Sequence, residues 1–296
     1  MSSFLEIISA GKILLADGAM GTELQKRGLP SGACPEEFNL THPEIVQSIY
    51  RDYYNAGSDI VETNTFGANR ARLKLHGFED RVKEFCARGV KLAKEVCPPG
   101  KFVAGSIGPT GEMFEPLGSL STEDAYNFFA EQAEALAESG ADILFIETMM
   151  APDEVELAIK ASKEKTSLPV SASMTFEKSK TGLKTMWGID VASAVKILSG
   201  AGADVIGSNC GKGLDEMIEI VTEMRKLTDK PIIAQANAGI PEWVHGISVY
   251  PETPESIIPK VNALLESGIN ILGGCCGTAP EHIKKMRELL NRFTAK

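Results

Sequence analysis

Short apolar runs alternate with longer amphipathic stretches along the whole chain. Eight of the apolar runs are nearly continuous in β-branched and other apolar residues, which is typical of parallel strands covered on both faces. Each of these runs ends in small or polar residues. The eight runs begin at Lys12, Asp59, Phe102, Asp142, Pro169, Asp204, Pro231 and Ile269.

The stretches between these runs carry apolar residues three and four positions apart, which predicts amphipathic helices. Two helix starts show the spacing of a capping box, Thr41 with Glu44 and Ser121 with Asp124. Several predicted helices are followed by a glycine that leads into the next strand, as a C-terminal cap does. These glycines are Gly57, Gly140, Gly202 and Gly268.

The order of strand then helix, repeated eight times, favours an α/β fold of the (β/α)8 TIM-barrel type over a doubly wound open sheet. No charge run, low-complexity tract or long Pro/Gly linker interrupts the pattern, so we expect one domain over residues 1–296. The longest connections from a strand to the next helix are expected after the first and fifth strands. In such a barrel the reaction centre lies at the carboxyl ends of the strands.

Composition narrows the class of partner. Hydrophobic residues make up 43% and charged residues 24% of the chain, which is typical of a globular protein. The 30 Lys and Arg residues against 40 Asp and Glu residues give a net charge of −10, which disfavours nucleic acid as a partner. The apolar runs are shorter than the ~20 residues that cross a bilayer, and the first residues lack a signal-peptide pattern. We therefore expect no membrane association and a cytoplasmic location.

Three of the six cysteines stand where predicted strands end. The sixth strand ends at Cys210 and the eighth at Cys275 and Cys276, so a barrel would bring three thiols to one face. Because thiolates select zinc over magnesium or calcium, we predict a zinc site with its fourth position open. The alternative is that these thiols are small buried apolar side chains. The remaining cysteines are expected in packing or surface positions: Cys34, Cys86 and Cys97.

The thiol-rich character of this site limits its chemistry. A zinc ion with three thiolates has a formal charge of −1 and is a weak Lewis acid, which disfavours activation of water. Such a site can instead bind a substrate thiol, lower the pKa of that thiol from ~8.5 to below neutrality and keep it nucleophilic. The three thiols therefore indicate thiol alkylation.

The strand ends also carry motifs that are highly specific together, although each alone is weak. The motifs are DGAMGTEL from Asp17, ETNTFGAN from Glu62, GSIGPTGE from Gly105, FIET from Phe145, GSNC from Gly207, NAG from Asn237 and GGCCGT from Gly273. With these motifs the chain resembles, over nearly all of its length, the zinc-dependent homocysteine S-methyltransferases, including the homocysteine-binding module of cobalamin-dependent methionine synthase. The resemblance implies an enzyme that activates homocysteine as a zinc thiolate and methylates it to methionine.

The resemblance also implies roles for individual residues. Zinc would be held by Cys210, Cys275 and Cys276, with the homocysteine sulfur in the open position. Asn237 would occupy that position through its side-chain oxygen when substrate is absent, whereas the NAG sequence alone is equally typical of a turn. Glu147, at the end of the fourth strand, corresponds to the residue that binds the ammonium group of homocysteine, and the alternative is a salt bridge at the barrel rim.

Further substrate contacts are expected at other strand ends, in the neighbourhood where the family binds homocysteine. These candidates are Asp17, Gly18, Thr63, Thr65 and Asn209. The alternatives are an Asx-type turn for Asp17 and local backbone hydrogen bonds for Thr65. The four histidines lack ligand spacing and are expected on the surface or at helix caps: His42, His76, His245 and His282.

The motifs leave the methyl donor open. The chain lacks the Asp-x-His-x-x-Gly motif of cobalamin-binding modules, so a methylcorrinoid donor such as methylcobalamin, which the likeness to methionine synthase favours, would arrive on a separate protein that docks transiently. The alternative donors are S-methylmethionine and betaine, which stand-alone relatives use. The loop with Met186 and Trp187 departs from the Thr-Gly-Thr-like stretch of the cobalamin-dependent enzymes, and packing explains it equally well. Two further hypotheses are methyl transfer to or from another thiol and a non-catalytic carrier of thiols or zinc.

Overall fold

The computed structural model describes residues 4–244 and 247–295. Its centre is a sheet of eight parallel strands that curls into a nearly closed barrel, with helices outside, which confirms the predicted (β/α)8 fold. The strands are β1 Leu14–Leu15, β2 Ile60–Glu62, β3 Phe102–Ile107, β4 Ile143–Met149, β5 Val170–Met174, β6 Val205–Cys210, β7 Ile232–Ala236 and β8 Ile271–Gly274.

In the part of the chain that the structure describes, eight helices surround the barrel, and shorter elements lie in its connections. The outer helices are α1 Pro43–Ala56, α2 Val82–Val96, α3 Thr122–Glu138, α4 Pro152–Lys165, α5 Val191–Gly200, α6 Leu214–Arg225, α7 Ile258–Glu266 and α8 Pro280–Thr294. The shorter helices are Phe4–Ser9, Met20–Lys26, Phe38–Thr41 and Arg70–Lys74, with 3-10 turns at Pro35–Glu37 and Glu79–Arg81. Two hairpins pair Glu177–Ser179 with Gly182–Lys184 and Glu242–Val244 with Ile247–Val249. Within the described residues, no helix combines the length and the apolar character needed to span a bilayer.

Carboxylates help to close the barrel between its two end strands. The strands are hydrogen-bonded in the order β1, β8, β7, β6, β5, β4, β3, β2, which leaves a seam between β1 and β2. The Asp59 N–H donates across this seam to the Leu15 carbonyl at 2.6 Å, and the Leu15 N–H donates to Asp59 Oδ2 at 3.0 Å. Nearer the carboxyl ends of the strands, the Glu62 N–H donates to Asp17 Oδ2 at 2.9 Å. Two side chains thus replace ladder bonds where β1 is too short to pair.

The opposite, amino-terminal end of the barrel is closed by apolar packing. Helix Phe4–Ser9 places Phe4 and Ile8 in one cluster with side chains from the barrel interior, including Ile60 and Phe145. The rings of Phe4 and Phe102 meet edge to face at 5.4 Å. Access to the interior is therefore from the carboxyl ends of the strands.

Most predictions for helix ends are confirmed, and one is wrong. Ser121 Oγ accepts the Asp124 N–H at 3.0 Å, as a capping residue does. Thr41 instead ends the short helix Phe38–Thr41, and its hydroxyl donates to the Glu37 carbonyl, because α1 begins later, at Pro43. The predicted cap glycines all have a left-handed backbone: Gly57, Gly140, Gly202 and Gly268.

The lengths of the connections also differ from expectation. The longest connections from strand to helix follow β1, over residues 16–42, and β7, over residues 237–257. The connection after β5 is shorter, because α5 already begins at Val191. The connection after β7 is long because it contains the hairpin of Glu242–Val244 with Ile247–Val249.

Candidate metal centre and substrate cavity

The register of three neighbouring strands brings the cysteines together. Ala236, at the end of β7, pairs with Cys210 of β6 on one side and with Gly274 of β8 on the other. Neighbouring strands lie only about 4.8 Å apart, so the residues that flank Ala236 lie within reach of one another. As a result, the sulfur atoms of Cys210, Cys275 and Cys276 all lie within 4.8 Å of one another. The structure therefore brings the three predicted thiols to one point.

The donor set fits a zinc ion. Two sulfurs at the usual zinc distance of about 2.3 Å lie about 3.8 Å apart in a tetrahedron, which falls within the 4.8 Å that bounds the sulfur separations of this cluster. Asn237, the residue after Ala236, donates through Nδ2 to the Gly211 carbonyl at 2.7 Å. Its Oδ1 is buried and has no hydrogen-bond partner among the described residues. Three sulfurs and an oxygen without a partner are a donor set suited to a thiophilic cation.

Hydrogen bonds among the thiols shift their protonation. Bonds from Cys275 and Cys276 lower the pKa of Cys210 to about 3. The same bond to Cys210 raises the pKa of Cys275 well above its ordinary value and raises the pKa of Cys276 to about 11. The cluster by itself is thus one thiolate that accepts hydrogen bonds from two thiols. A bound cation takes the place of those two protons.

The backbone around the cluster has an unusual conformation. Cys210 has a φ of 66°, which non-glycine residues rarely adopt and which is common at functional sites. Gly277 has a φ of 80°, and a Cβ atom there would lie 2.1 Å from Cγ of Tyr250. Glycine at this position therefore lets the Tyr250 ring pack next to Cys276. Burial and the adjacent Cys276 thiol raise the pKa of Tyr250, so its hydroxyl stays protonated.

A cavity of about 260 Å³ opens beside the three cysteines. Of the predicted substrate residues, Gly18, Thr63 and Glu147 line it. A Cβ atom on Gly18 would lie 2.2 Å from the Thr278 carbonyl oxygen, so the close approach of these two segments requires glycine. Ser106 also lines the cavity, although the sequence did not single it out.

Carboxyl groups form one wall of this cavity. Glu147 accepts hydrogen bonds from Ser106 Oγ at 2.5 Å and from the carboxyl group of Glu62, which in turn accepts a bond from Gln235. Asp17 lies behind them, with Oδ1 buried and without a partner among the described residues. Burial raises the pKa of Asp17, Glu62 and Glu147. Among the described residues that line this cavity there is no lysine or arginine, so this group of buried acids is suited to receive a cation from a ligand.

The sequence analysis missed Glu62 as a site residue. It begins the ETNTFGAN motif and ends β2, so its position at the carboxyl end of a strand was available as a signal. What the sequence lacks is the hydrogen bond to Glu147, which joins the ends of β2 and β4 and depends on the curvature of the barrel. Glu62 and Ser106 therefore join the site only in three dimensions.

Two predicted substrate residues besides Asp17 lie behind the cavity wall. Thr65 is fully buried, and its hydroxyl donates to the Ser106 carbonyl at 2.8 Å, which favours the local backbone role. Asn209 is 1% exposed and contacts Glu147 and Thr148 from behind. Both residues support the wall and do not line the cavity.

The three histidines that the structure describes lie apart from the thiol cluster. His282 caps α8, with its Nδ1 accepting the Ala279 N–H at 3.2 Å. His42 is exposed and its ring lies 4.3 Å from that of Phe38, while His76 is also exposed. His245 lies outside the described residues.

The fold and the site together define a barrel with a cluster of three thiols, suited to a metal ion, beside an acidic cavity at its open end. The family profile described as homocysteine S-methyltransferase matches residues 14–290. The chain therefore belongs to the homocysteine S-methyltransferase family and is a methyltransferase, which confirms the resemblance seen in the motifs.

Two curated relatives are methionine synthases from Mycobacterium leprae and Mycobacterium tuberculosis. Each is 31% identical to this chain, over 303 and 305 residues respectively. The aligned region covers 96% of this chain but only 25% of each relative. The chain thus spans about a quarter of the length of these relatives.

Solved structures support the fold. The homocysteine methyltransferase MmuM from Escherichia coli superimposes in its metallated form with a TM-score of 0.80 and 24% identity, covering 96% of this chain and 98% of that one. Its oxidised form gives a TM-score of 0.76 and 26% identity, with coverage of 93% and 95%. The barrel and its outer helices are therefore shared along nearly the whole of both chains.

Replacing one thiol should release the metal and leave the barrel intact. After zinc loading and gel filtration, we expect about one zinc per wild-type chain and less than about a tenth of that in Cys210→Ala, because two sulfurs and an amide oxygen bind zinc weakly. Metal analysis with circular dichroism measures both properties. Cys97→Ala, a half-exposed thiol outside the cluster, serves as the control and should keep its zinc. Wild-type zinc content in Cys210→Ala would show that the metal binds elsewhere.

Proposed function

We propose that residues 1–296 form one homocysteine-binding domain that transfers a methyl group to homocysteine and yields methionine. The observation that carries this proposal is the cavity between three clustered thiols and a wall of buried carboxyl groups. A substrate that fits both ends bears a sulfur and an ammonium group, as homocysteine does. All six cysteines are free thiols, which favours a reducing compartment such as the cytoplasm.

The residues of the chain bind the two ends of the substrate separately. The ammonium group is placed against Glu147, which lines the cavity. Asp17 lies behind that wall, and its buried Oδ1 has no partner among the described residues, so it adds to the demand for a cationic ligand. Gly18 and Thr63 line the path between the two ends. The substrate sulfur is placed at the thiol cluster, in the position that the family resemblance gives to Asn237 Oδ1 when substrate is absent.

Cys210, Cys275 and Cys276 would hold a zinc ion, which would lower the pKa of the substrate thiol and keep its sulfur nucleophilic at neutral pH. The chain contributes orientation and exclusion of water, the terms that dominate a direct displacement. In the reaction a sulfur lone pair forms the new bond to the methyl carbon, and the bond from methyl to donor breaks with its electron pair left on the donor. The thiol proton is released.

The donor we propose is a methylcorrinoid, such as methylcobalamin, carried outside residues 1–296 on a further module or a partner protein. The methionine synthase relatives are about four times as long as the matched region, so their barrels work beside further modules.

Exposed apolar side chains support a protein partner. Nine large apolar side chains are exposed among the described residues, and eight of them lie in connections from a strand to the next helix, at the open end of the barrel: Leu75, Met113, Leu117, Met186, Trp187, Ile240, Trp243 and Val249. Such a concentration is typical of an interaction surface.

The donor is tested by offering each candidate in turn to zinc-loaded protein with homocysteine and measuring methionine by mass spectrometry. We expect methionine with methylcobalamin and none above the zinc-free control with S-methylmethionine or betaine. Methionine formed only from one of the two small donors would overturn the corrinoid proposal. No methionine from any donor, together with turnover of another thiol, would overturn homocysteine as the acceptor.

Glu147→Gln tests the ammonium anchor. The substitution keeps the shape of the side chain and removes its charge. We expect a loss of roughly 1.5–3 kcal/mol of binding free energy, which raises the KM for homocysteine about tenfold to a hundredfold. Steady-state kinetics with the active donor measures the change. Glu138→Gln, at an exposed position near the end of α3, is the control. An unchanged KM in Glu147→Gln would assign the ammonium group to other residues.

A further inference from the structure

The side chain of Asn209 is buried between the proposed ammonium anchor and the thiol cluster. Its Oδ1 accepts hydrogen bonds from the Thr148 N–H at 2.7 Å and from Ser173 Oγ at 2.7 Å. Its Nδ2 donates to Thr148 Oγ1 at 2.8 Å, and lies 3.4 Å from Glu147 Oε2 and 3.9 Å from Cys275 Sγ. Both lone pairs and both N–H groups of the amide are thus engaged.

These hydrogen bonds hold an irregular segment of β4. The pairing of β4 with β5 shifts between Ile146 and Met149, and Thr148 has a φ of 61°. A β-branched residue adopts this left-handed conformation only where its surroundings impose it. Asn209 bonds both the backbone N–H and the hydroxyl of Thr148, so it supplies that constraint. The direction of the preceding Glu147 carboxyl group therefore depends on Asn209.

The backbone of Asn209 belongs to the metal side of the site. It directly precedes Cys210, and its carbonyl accepts a bond from Thr175 Oγ1 at 3.0 Å. Its register partner in β7 is Gln235, one residue before the alanine that the cysteines flank. Asn209 thus joins the end of β6, which carries Cys210, to the bulge of β4, which carries Glu147.

We propose that Asn209 is a positioning residue that sets the distance between Glu147 and the thiol cluster, and so selects homocysteine over the shorter cysteine. The inference rests on the proposed function. An amino-acid thiol has to reach both ends of the site at once, and cysteine has one methylene fewer between its amino-bearing carbon and its sulfur. A rigid spacing accepts one chain length, whereas a loosened bulge lets Glu147 approach a shorter substrate.

Calorimetric titration of zinc-loaded protein with homocysteine and with cysteine tests this spacing. We expect the wild type to bind homocysteine at least about tenfold more tightly than cysteine. In Asn209→Ala the affinity for homocysteine should fall about tenfold to a hundredfold and the ratio of the two affinities should approach one, with about one zinc per chain retained. Ser173→Ala removes a single bond to Oδ1 and should give a smaller change in the same direction.

Asn270→Ala is the matched control, because Asn270 Oδ1 accepts the Ile232 N–H at 2.9 Å at the opposite end of the barrel. This variant should lower thermal stability and leave the affinity ratio unchanged. If Asn209→Ala keeps the wild-type ratio of the affinities for homocysteine and cysteine, the role of Asn209 is overturned and the proposed function is not. If Asn209→Ala does not fold, a wild-type ratio in Ser173→Ala overturns that role. Failure of the wild-type protein to bind homocysteine would overturn the proposed function and this inference with it.

Discussion

The pairing of β7 with both β6 and β8 is the constraint on which the site depends. Ala236 has Cys210 on one side and Gly274 on the other, and the thiol cluster exists only in this register. Because successive residues of a strand are about 3.3 Å apart, a slip of one residue in β8 would carry Cys275 and Cys276 away from Cys210 by about that distance. The buried core that surrounds the strands fixes this register. The strand pairing that stabilises the barrel therefore also positions the thiols at its rim.

The second half of the site is electrostatic. Asp17, Glu62 and Glu147 come from three different strands, and burial raises the pKa of each. Such a group of acids weakens the folded state unless protons or a cation neutralise it. Asp17 also closes the seam between β1 and β2 through its other oxygen, so the same residue serves the fold and the cavity. The free-energy cost of burying these carboxyl groups indicates that this cavity binds a cationic ligand.

The sequence predicts the framework well, since near-continuous apolar runs and glycine caps are local signals. Cys210, Cys275 and Cys276 could be found because strand ends in a barrel converge whatever their separation in sequence. The bulge at Thr148 could not be predicted, because its left-handed backbone is imposed by Asn209 from another strand. Glu62 was missed for the same reason, as its partner lies on β4. Thr41 shows the limit of local signals, since it has the capping-box spacing yet ends a different helix.

Zinc X-ray absorption on the zinc-loaded protein, with and without homocysteine, measures whether three cysteine sulfurs bind the metal and whether the substrate sulfur joins them. Without homocysteine the account predicts three sulfur neighbours at about 2.3 Å and one lighter oxygen or nitrogen neighbour at about 2.0–2.2 Å. With homocysteine it predicts four sulfur neighbours, because the substrate sulfur replaces the lighter ligand. Fewer than three sulfurs, or a coordination shell that homocysteine leaves unchanged, would contradict the account.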